Sequence, residues 1–263
     1  NRVHDLAGFG QDGPGDLLAS ADDRLRQLLA HLGGNLLQNL SLGNYPRGAA
    51  DQLHQLAARN LVPHHGVDDV VQAGSGAGLR DPAFAIADGT WHIFLILSPT
   101  IVDVFASTSL TPTLPSGYTH KRRIGSILRE AGSIVGFNQT GDRFDRKVPV
   151  RDVNTNNPGT SAIAATLSVP TGIVVEALIA LLATASTSTF NGLATSLSQT
   201  DSTPSATIMN FHNSNGIGLA LTTHHRVPTN TSRQIRYRIS ASGISDNITI
   251  HTHGWIDPRG KDA

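Results

Sequence analysis

The chain has no cysteine. Disulfide staples, thiolate nucleophiles and cysteine-type zinc clusters are therefore excluded, and durability must come from packing or assembly. Charge is scarce too. Charged side chains make up 15% of the 263 residues, against about 25% in an ordinary soluble domain. The 20 Lys and Arg balance the 20 Asp and Glu, so no global field draws the chain toward nucleic acid or a membrane. No apolar run reaches the roughly 18 residues that cross a bilayer. The longest, Gly172 to Ala185, is broken by Glu176. The stretch that begins at Asn1 lacks the basic start and apolar core of a secretory signal. Ser, Thr, Asn and Gly fill the gap left by charge, and short neutral polar groups suit strands and dense assemblies. The length allows one or two domains of about 100–200 residues plus an attachment segment.

The first 60 residues read as an attachment arm with short helices. Asn1 to Gly15 is rich in Gly and Asp and has little periodicity. Ser20 then suits an N-cap, with Asp22 and Asp23 in the first turn. Leu25, Leu28, Leu29 and Leu32 follow at i, i+3, i+4 and i+7, one face of a helix that Gly33 and Gly34 stop. So short a helix needs a partner, either its own body or a neighbouring subunit. Asp51 to Asn60 suggests a second short helix. The GSGAG run at Gly74 to Gly78 is followed by Arg80-Asp81-Pro82 rather than by a lysine and a helix, which argues against a phosphate loop.

Beyond it the pattern is strand. Trp91 to Leu97 and Ile101 to Ala106 flank the turn Ser98-Pro99-Thr100 and predict a hairpin. Arg122 to Arg129, Ile134 to Gln139 and Arg143 to Val148 continue the series. Asp152 to Gly159 (DVNTNNPG) is made of turn formers, and a domain boundary is placed there. Seven strand candidates follow between Thr160 and Trp255. Ile235, Tyr237 and Ile239 alternate cleanly with Arg236 and Arg238, and arginines there suit an edge strand. Ile173 to Leu182 has the composition of a helix, but Pro170-Thr171-Gly172 before it and Val174-Val175 within it favour a buried strand. The fold class is thus mainly β: two antiparallel sandwich or jelly-roll-like domains, 61–152 and 153–263, behind the arm.

Two stretches resemble a known family. One holds TWHIFLI, IVDVFAST, LTPTLPSGYTHKRRIGSILRE and GDRF, between Thr90 and Phe144. The other is QIRYRISASGISDNITIHTHGWIDPRGKDA, from Gln234. Both are similar to tailed-bacteriophage tail-fibre and virion structural proteins. The LPSGYTHKRRIGSI block is the specific part. The family's longer insert between the first two strands is trimmed here to Ser98-Pro99-Thr100, and Asn1 to Ala50 matches no part of the family. The resemblance implies a non-enzymatic component of the phage particle surface, of tail-fibre or spike type, presenting β domains to the host. A capsid-attached head fibre or decoration protein is the alternative within the particle. The implied partners are other virion proteins through the arm, further copies in a symmetric oligomer such as a trimer, and host surface glycan, with no nucleic acid and no membrane insertion.

Histidine supplies the ingredients for a site. His251 and His253 stand two apart on a strand, so both imidazoles share a face and could give a metal two ligands; a plain strand surface is the competing reading. The adjacent pairs His64-His65 and His224-His225 point to opposite sides and chelate poorly. No other cofactor is implied. Tyr118, Lys121, Arg122 and Arg123 form a small basic cluster, suited to a receptor or subunit contact or simply to an exposed strand start. Trp91 and Trp255 suit core packing better than sugar stacking. No G-x-S-x-G elbow occurs. A glycan depolymerase, the reading from another class, would need two carboxylates about 5–9.5 Å apart, and the spacing of Asp103, Asp142 and Asp145 marks no such pair.

Overall fold

A computed structural model of the chain describes residues 80–185, 189–213 and 219–259. The leucine helix at Leu25 to Leu32, the second short helix, His64-His65 and the GSGAG run lie outside these residues. Among the described residues there are thirteen strands and no helix. They form three sheets whose ladders are all antiparallel, so the fold is mainly β, as the strand patterning implies.

The N-terminal sheet contains β1 (Gly89–Leu97), β2 (Val102–Ser107), β3 (His120–Glu130) and β4 (Ser133–Ile134), in the order β2-β1-β3-β4. β1 and β2 make the expected hairpin, and Ser98 closes its turn: its N–H donates to the Ile101 carbonyl at 2.9 Å and its hydroxyl accepts from the Ile101 N–H at 3.0 Å. β3 and β4 are joined by two residues, Ala131 and Gly132, both at positive φ (48° and 80°). That is the backbone of the tight hairpin turn whose twist matches paired strands. Both faces of β1 are covered. Trp91 and Ile93 pack with Ile124 and Ile127, while Phe94 and Ile96 pack with Phe105 on the other side.

The other nine strands build a sandwich. They are β5 (Phe137–Thr140), β6 (Arg143–Asn156), β7 (Ile163–Thr166), β8 (Glu176–Ala185), β9 (Phe190–Ser196), β10 (Phe211–Asn213), β11 (Leu219–Pro228), β12 (Gln234–Ile239) and β13 (Asn247–Ile256). A long sheet runs β11-β8-β13-β6-β5 and a short sheet runs β10-β9-β12-β7. Their inner faces share one core, which includes Ile179, Leu181, Ile248, Ile250 and Trp255 from the long sheet and Phe190, Phe211, Ile235, Tyr237 and Ile239 from the short one. Each such side chain, fully buried, favours folding by about 1.5–3 kcal/mol.

β8 reads EALIALLATA, a string of good helix formers, yet it is a strand paired on both sides, with β11 and β13. Its Ala177, Ile179, Leu181, Ala183 and Ala185 all face the core. Period-two burial between two neighbours outweighs helix propensities of a few tenths of a kcal/mol per residue (roughly 0–0.7 on the usual scales).

Two expectations need correction. β12 is not an edge strand; it lies between β9 and β7. Its arginines serve a different purpose, since Arg238 pairs with Asp201 at 2.9 Å and Arg236 donates to the Gln199 carbonyl at 2.6 Å. β12 and β13, though consecutive in the chain, belong to opposite sheets. The run Asp152 to Asn156 is strand, not loop. Its Asn154 and Asn156 lie opposite Thr249 and Asn247, and the four side chains bond one another. One unbroken strand therefore runs through the position at which the sequence suggested a boundary.

Candidate functional site

The N-terminal sheet meets the sandwich at a buried polar joint built from the two stretches that carry the family resemblance. Arg123 of β3 reaches Asp257, just past β13, at 2.7 Å, with the two side chains 9% and 0% exposed. The same guanidinium donates to Ser126 Oγ at 2.9 Å, and Ser126 Oγ lies 2.9 Å from His92 Nδ1. Burial, and then the nearby Arg123 charge, lower the His92 imidazole to about 4, with Asp257 opposing. His92 is therefore neutral near pH 7. Ser126 is fully buried, so this serine–histidine contact is a structural bond and offers no nucleophile to a substrate.

The GWIDPR run explains itself around that joint. A Cβ at Gly254 would overlap the Phe144 carbonyl oxygen, so only glycine lets β13 lie this close to β6. Trp255 stacks on Phe144 with ring centroids 5.3 Å apart and planes 6° from parallel. Phe144 also sits under Gly125 of β3, where an added Cβ would come 3.1 Å from the ring. Asp257 Oδ1 accepts the Arg259 N–H at 2.7 Å, and Arg259 Nε stands 3.0 Å from Asp142. Arg146 adds a second bridge between the sheets, to Glu130 at 2.8 Å.

Most of the basic cluster is engaged inside the molecule. Arg123 belongs to the joint. Lys121 Nζ donates to the Pro112 carbonyl at 2.5 Å. The Tyr118 hydroxyl donates to Asp103 at 3.3 Å, and burial together with that carboxylate raises the phenol above its ordinary value. Arg122 alone of the four has no side-chain hydrogen bond or ion pair among the described residues. Of the two tryptophans, Trp91 and Trp255 are both fully buried.

The histidines lie on the opposite side of the long sheet, facing solvent. Residues opposite one another in a ladder share a face. The register places His224 of β11 opposite Ala180 of β8, Ala180 opposite His251 of β13, and His251 opposite Arg151 of β6. One row across four strands thus reads His-Ala-His-Arg, spanning about 14 Å at the usual spacing of about 4.8 Å per strand. His253 is the extra residue of a β-bulge: on β13 the two steps from Thr252 to Gly254 match one step on β8, from Ile179 to Leu178. The bulge keeps Trp255 on the core side, opposite Ala177. It also carries the His253 ring toward His224, 5.8 Å between centroids and edge-on, over the intervening strand. Burial, His224 and then His251 lower the His253 imidazole, with Asp145 opposing.

The sequence pointed to His251 and His253 but missed His224 as their neighbour, because only the β11-β8-β13 register brings them together. His225, its chain neighbour, turns inward against Phe211, and burial and then His224 lower its pKa. Among the described residues, no group of three or more His, Cys, Asp or Glu side chains is arranged to hold a metal ion. The carboxylates weighed for glycan cleavage are each engaged separately: Asp103 with Tyr118, Asp142 with Arg259, and Asp145 with Arg143 at 2.8 Å.

The described residues define an all-β scaffold with a polar histidine-bearing face. No protein-family model, curated protein or solved structure matches the chain.

Proposed function

We propose that the chain is a structural protein of a bacteriophage particle, of tail-fibre or spike type, whose β domains face the host surface. The observation that carries this reading is the joint. The residues that give the sequence its resemblance to phage fibre proteins, Gly125, Ser126, Arg123, Gly254, Trp255 and Asp257, are spent on building the frame, and none is presented to a substrate. A signature that encodes rigidity suits a protein that holds a surface outward. The low charge, the fully antiparallel sheets and the tight Phe144–Trp255 stack support the same role. In this reading residues 1–60 supply the attachment to the particle, and the chain assembles as a symmetric oligomer.

The test is localisation. Antibody raised against the purified chain, applied with gold label to intact particles, is expected to decorate the tail or the capsid at symmetry-related positions. Gold at the tail supports the fibre or spike form, and gold over the head supports the head-fibre or decoration form. Particles free of label that also lack the chain by mass spectrometry would defeat both. Release of reducing sugar from host polysaccharide would move the assignment to a depolymerase.

A further inference from the structure

The outer face of the long sheet has more chemistry than a plain strand surface requires. Its central row presents His224, His251 and Arg151, with His253 leaning over the same strand gap. Between the imidazoles the floor is small and apolar: Ala180 and Leu178, each 7% exposed. The next row along the face is Thr222, Leu182, Thr249 and Asn154, and the one after it is Ala220, Thr184, Asn247 and Asn156. The charged groups around the histidines can be counted. Arg226 of β11 is paired with Glu176 of β8, and Arg143 with Asp145 on β6. Arg151, exposed on β6, has no ion-pair partner among the described residues. Lys147 also stands exposed on β6, between Asp145 and Arg151. The patch therefore carries uncompensated cationic groups beside three imidazoles.

We propose that this row binds a carboxylate of an acidic polysaccharide, with Arg151 as the fixed charge and His224, His251 and His253 as hydrogen-bond donors around it. The ligand class follows from the donors. A guanidinium fits a carboxylate bidentately, and protonated imidazoles donate charge-assisted hydrogen bonds to it. The neighbouring Thr and Asn ladder offers both donors and acceptors to sugar hydroxyls. A single-stranded nucleic acid would also be attracted by positive charge, but it needs aromatic platforms for its bases, and no Phe, Tyr or Trp stands in these rows. Burial first, and then the neighbouring His224 and His251, hold the His253 imidazole below its ordinary value. A bound carboxylate favours the charged form of His253, so affinity rises as pH falls. The inference rests on the attachment reading above and names the partner of the exposed face.

The experiment uses the full chain and immobilised polygalacturonate, with neutral dextran and dextran sulfate alongside, at pH 5.5 and pH 8. Polygalacturonate is expected to bind at least about tenfold more tightly at pH 5.5, and high salt should weaken it. Arg151→Ala and His251→Ala should each lower the affinity at pH 5.5 by about tenfold, a typical loss for one charge-assisted contact. His253→Ala should flatten the pH dependence. Arg122→Ala, a change in the N-terminal sheet away from this face, should leave binding intact. Equal binding to dextran, preference for dextran sulfate or single-stranded DNA, binding that requires added zinc, or full affinity in both variants overturns the proposal. A chain that binds polygalacturonate but is absent from particles defeats the virion reading alone. A virion-borne chain that ignores the polymer defeats this one alone.

Discussion

Two places in this molecule use histidine and arginine, and burial decides what each does. In the joint, His92, Ser126, Arg123 and Asp257 are enclosed and linked one to the next by hydrogen bonds, and the product is rigidity. On the outer face, His224, His251, His253 and Arg151 are left to solvent, the guanidinium is unpaired, and the product is a surface able to take a ligand. The same side chains read alike in a sequence. What separates them is whether a partner is supplied from inside the molecule.

The comparison breaks hardest at Asp257. Asp257→Ala leaves the Arg123 guanidinium buried without its carboxylate, and removing one partner of a buried pair costs about 3–5 kcal/mol. Urea unfolding of the variant should show that loss, and a midpoint close to the parent would mean the joint is not a buried ion pair. The next effect is pH-dependent. His92 has a folded value of about 4 against an ordinary 6.5, so between those values the unfolded chain binds more protons than the folded one. Stability is then complete above about pH 6.5 and falls as pH drops toward 4, by about 3 kcal/mol for the full difference. His92→Asn should remove this part of the slope, and parallel stability–pH curves for parent and variant would sink the assignment.

Gly254→Ala tests how closely β13 and β6 must approach. The added methyl meets backbone rather than a movable side chain, and such overpacking costs about 1–3 kcal/mol or more. A variant as stable as the parent would show that the strands can part without penalty. The smallest effects belong to the outer face. Arg151→Ala, His224→Ala and His251→Ala should each change stability by no more than about 0.5 kcal/mol, measured by the same unfolding experiment. A large loss at any of them would make the face structural and erase the contrast.

Much of the framework was legible in the chain because it depends on local alternation. Ile235, Tyr237 and Ile239 announce their shared face, and the Ser98-Pro99-Thr100 turn announces its hairpin. The valines and the Pro-Thr-Gly break before β8 were enough to favour a strand over its helical composition. What was not legible depends on partners distant in sequence. Asp152 to Asn156 reads as loop because its polar side chains satisfy one another across to Asn247 and Thr249, about ninety residues later. Arg123 reads as an exposed basic residue because Asp257, which engages it, stands 134 positions away. His224 reads as half of a useless adjacent pair because its real neighbour is two strands over. The bulge at His253 is likewise invisible to a strict period of two.

β13 is the last strand of the described chain, yet it lies in the middle of the long sheet, between β8 and β6. This order matters while the protein is being made. Translation proceeds at about 5–20 residues per second from the N-terminal end, so β8 is synthesised some sixty residues before the strand that will cover its inner edge. During that interval an alanine- and leucine-rich strand offers an open edge to any other nascent chain. A message cut short before Asn247 would leave that edge open for good. Only a chain translated through Ile256 can complete its own long sheet, and a shorter product keeps the edge of β8 open to other chains.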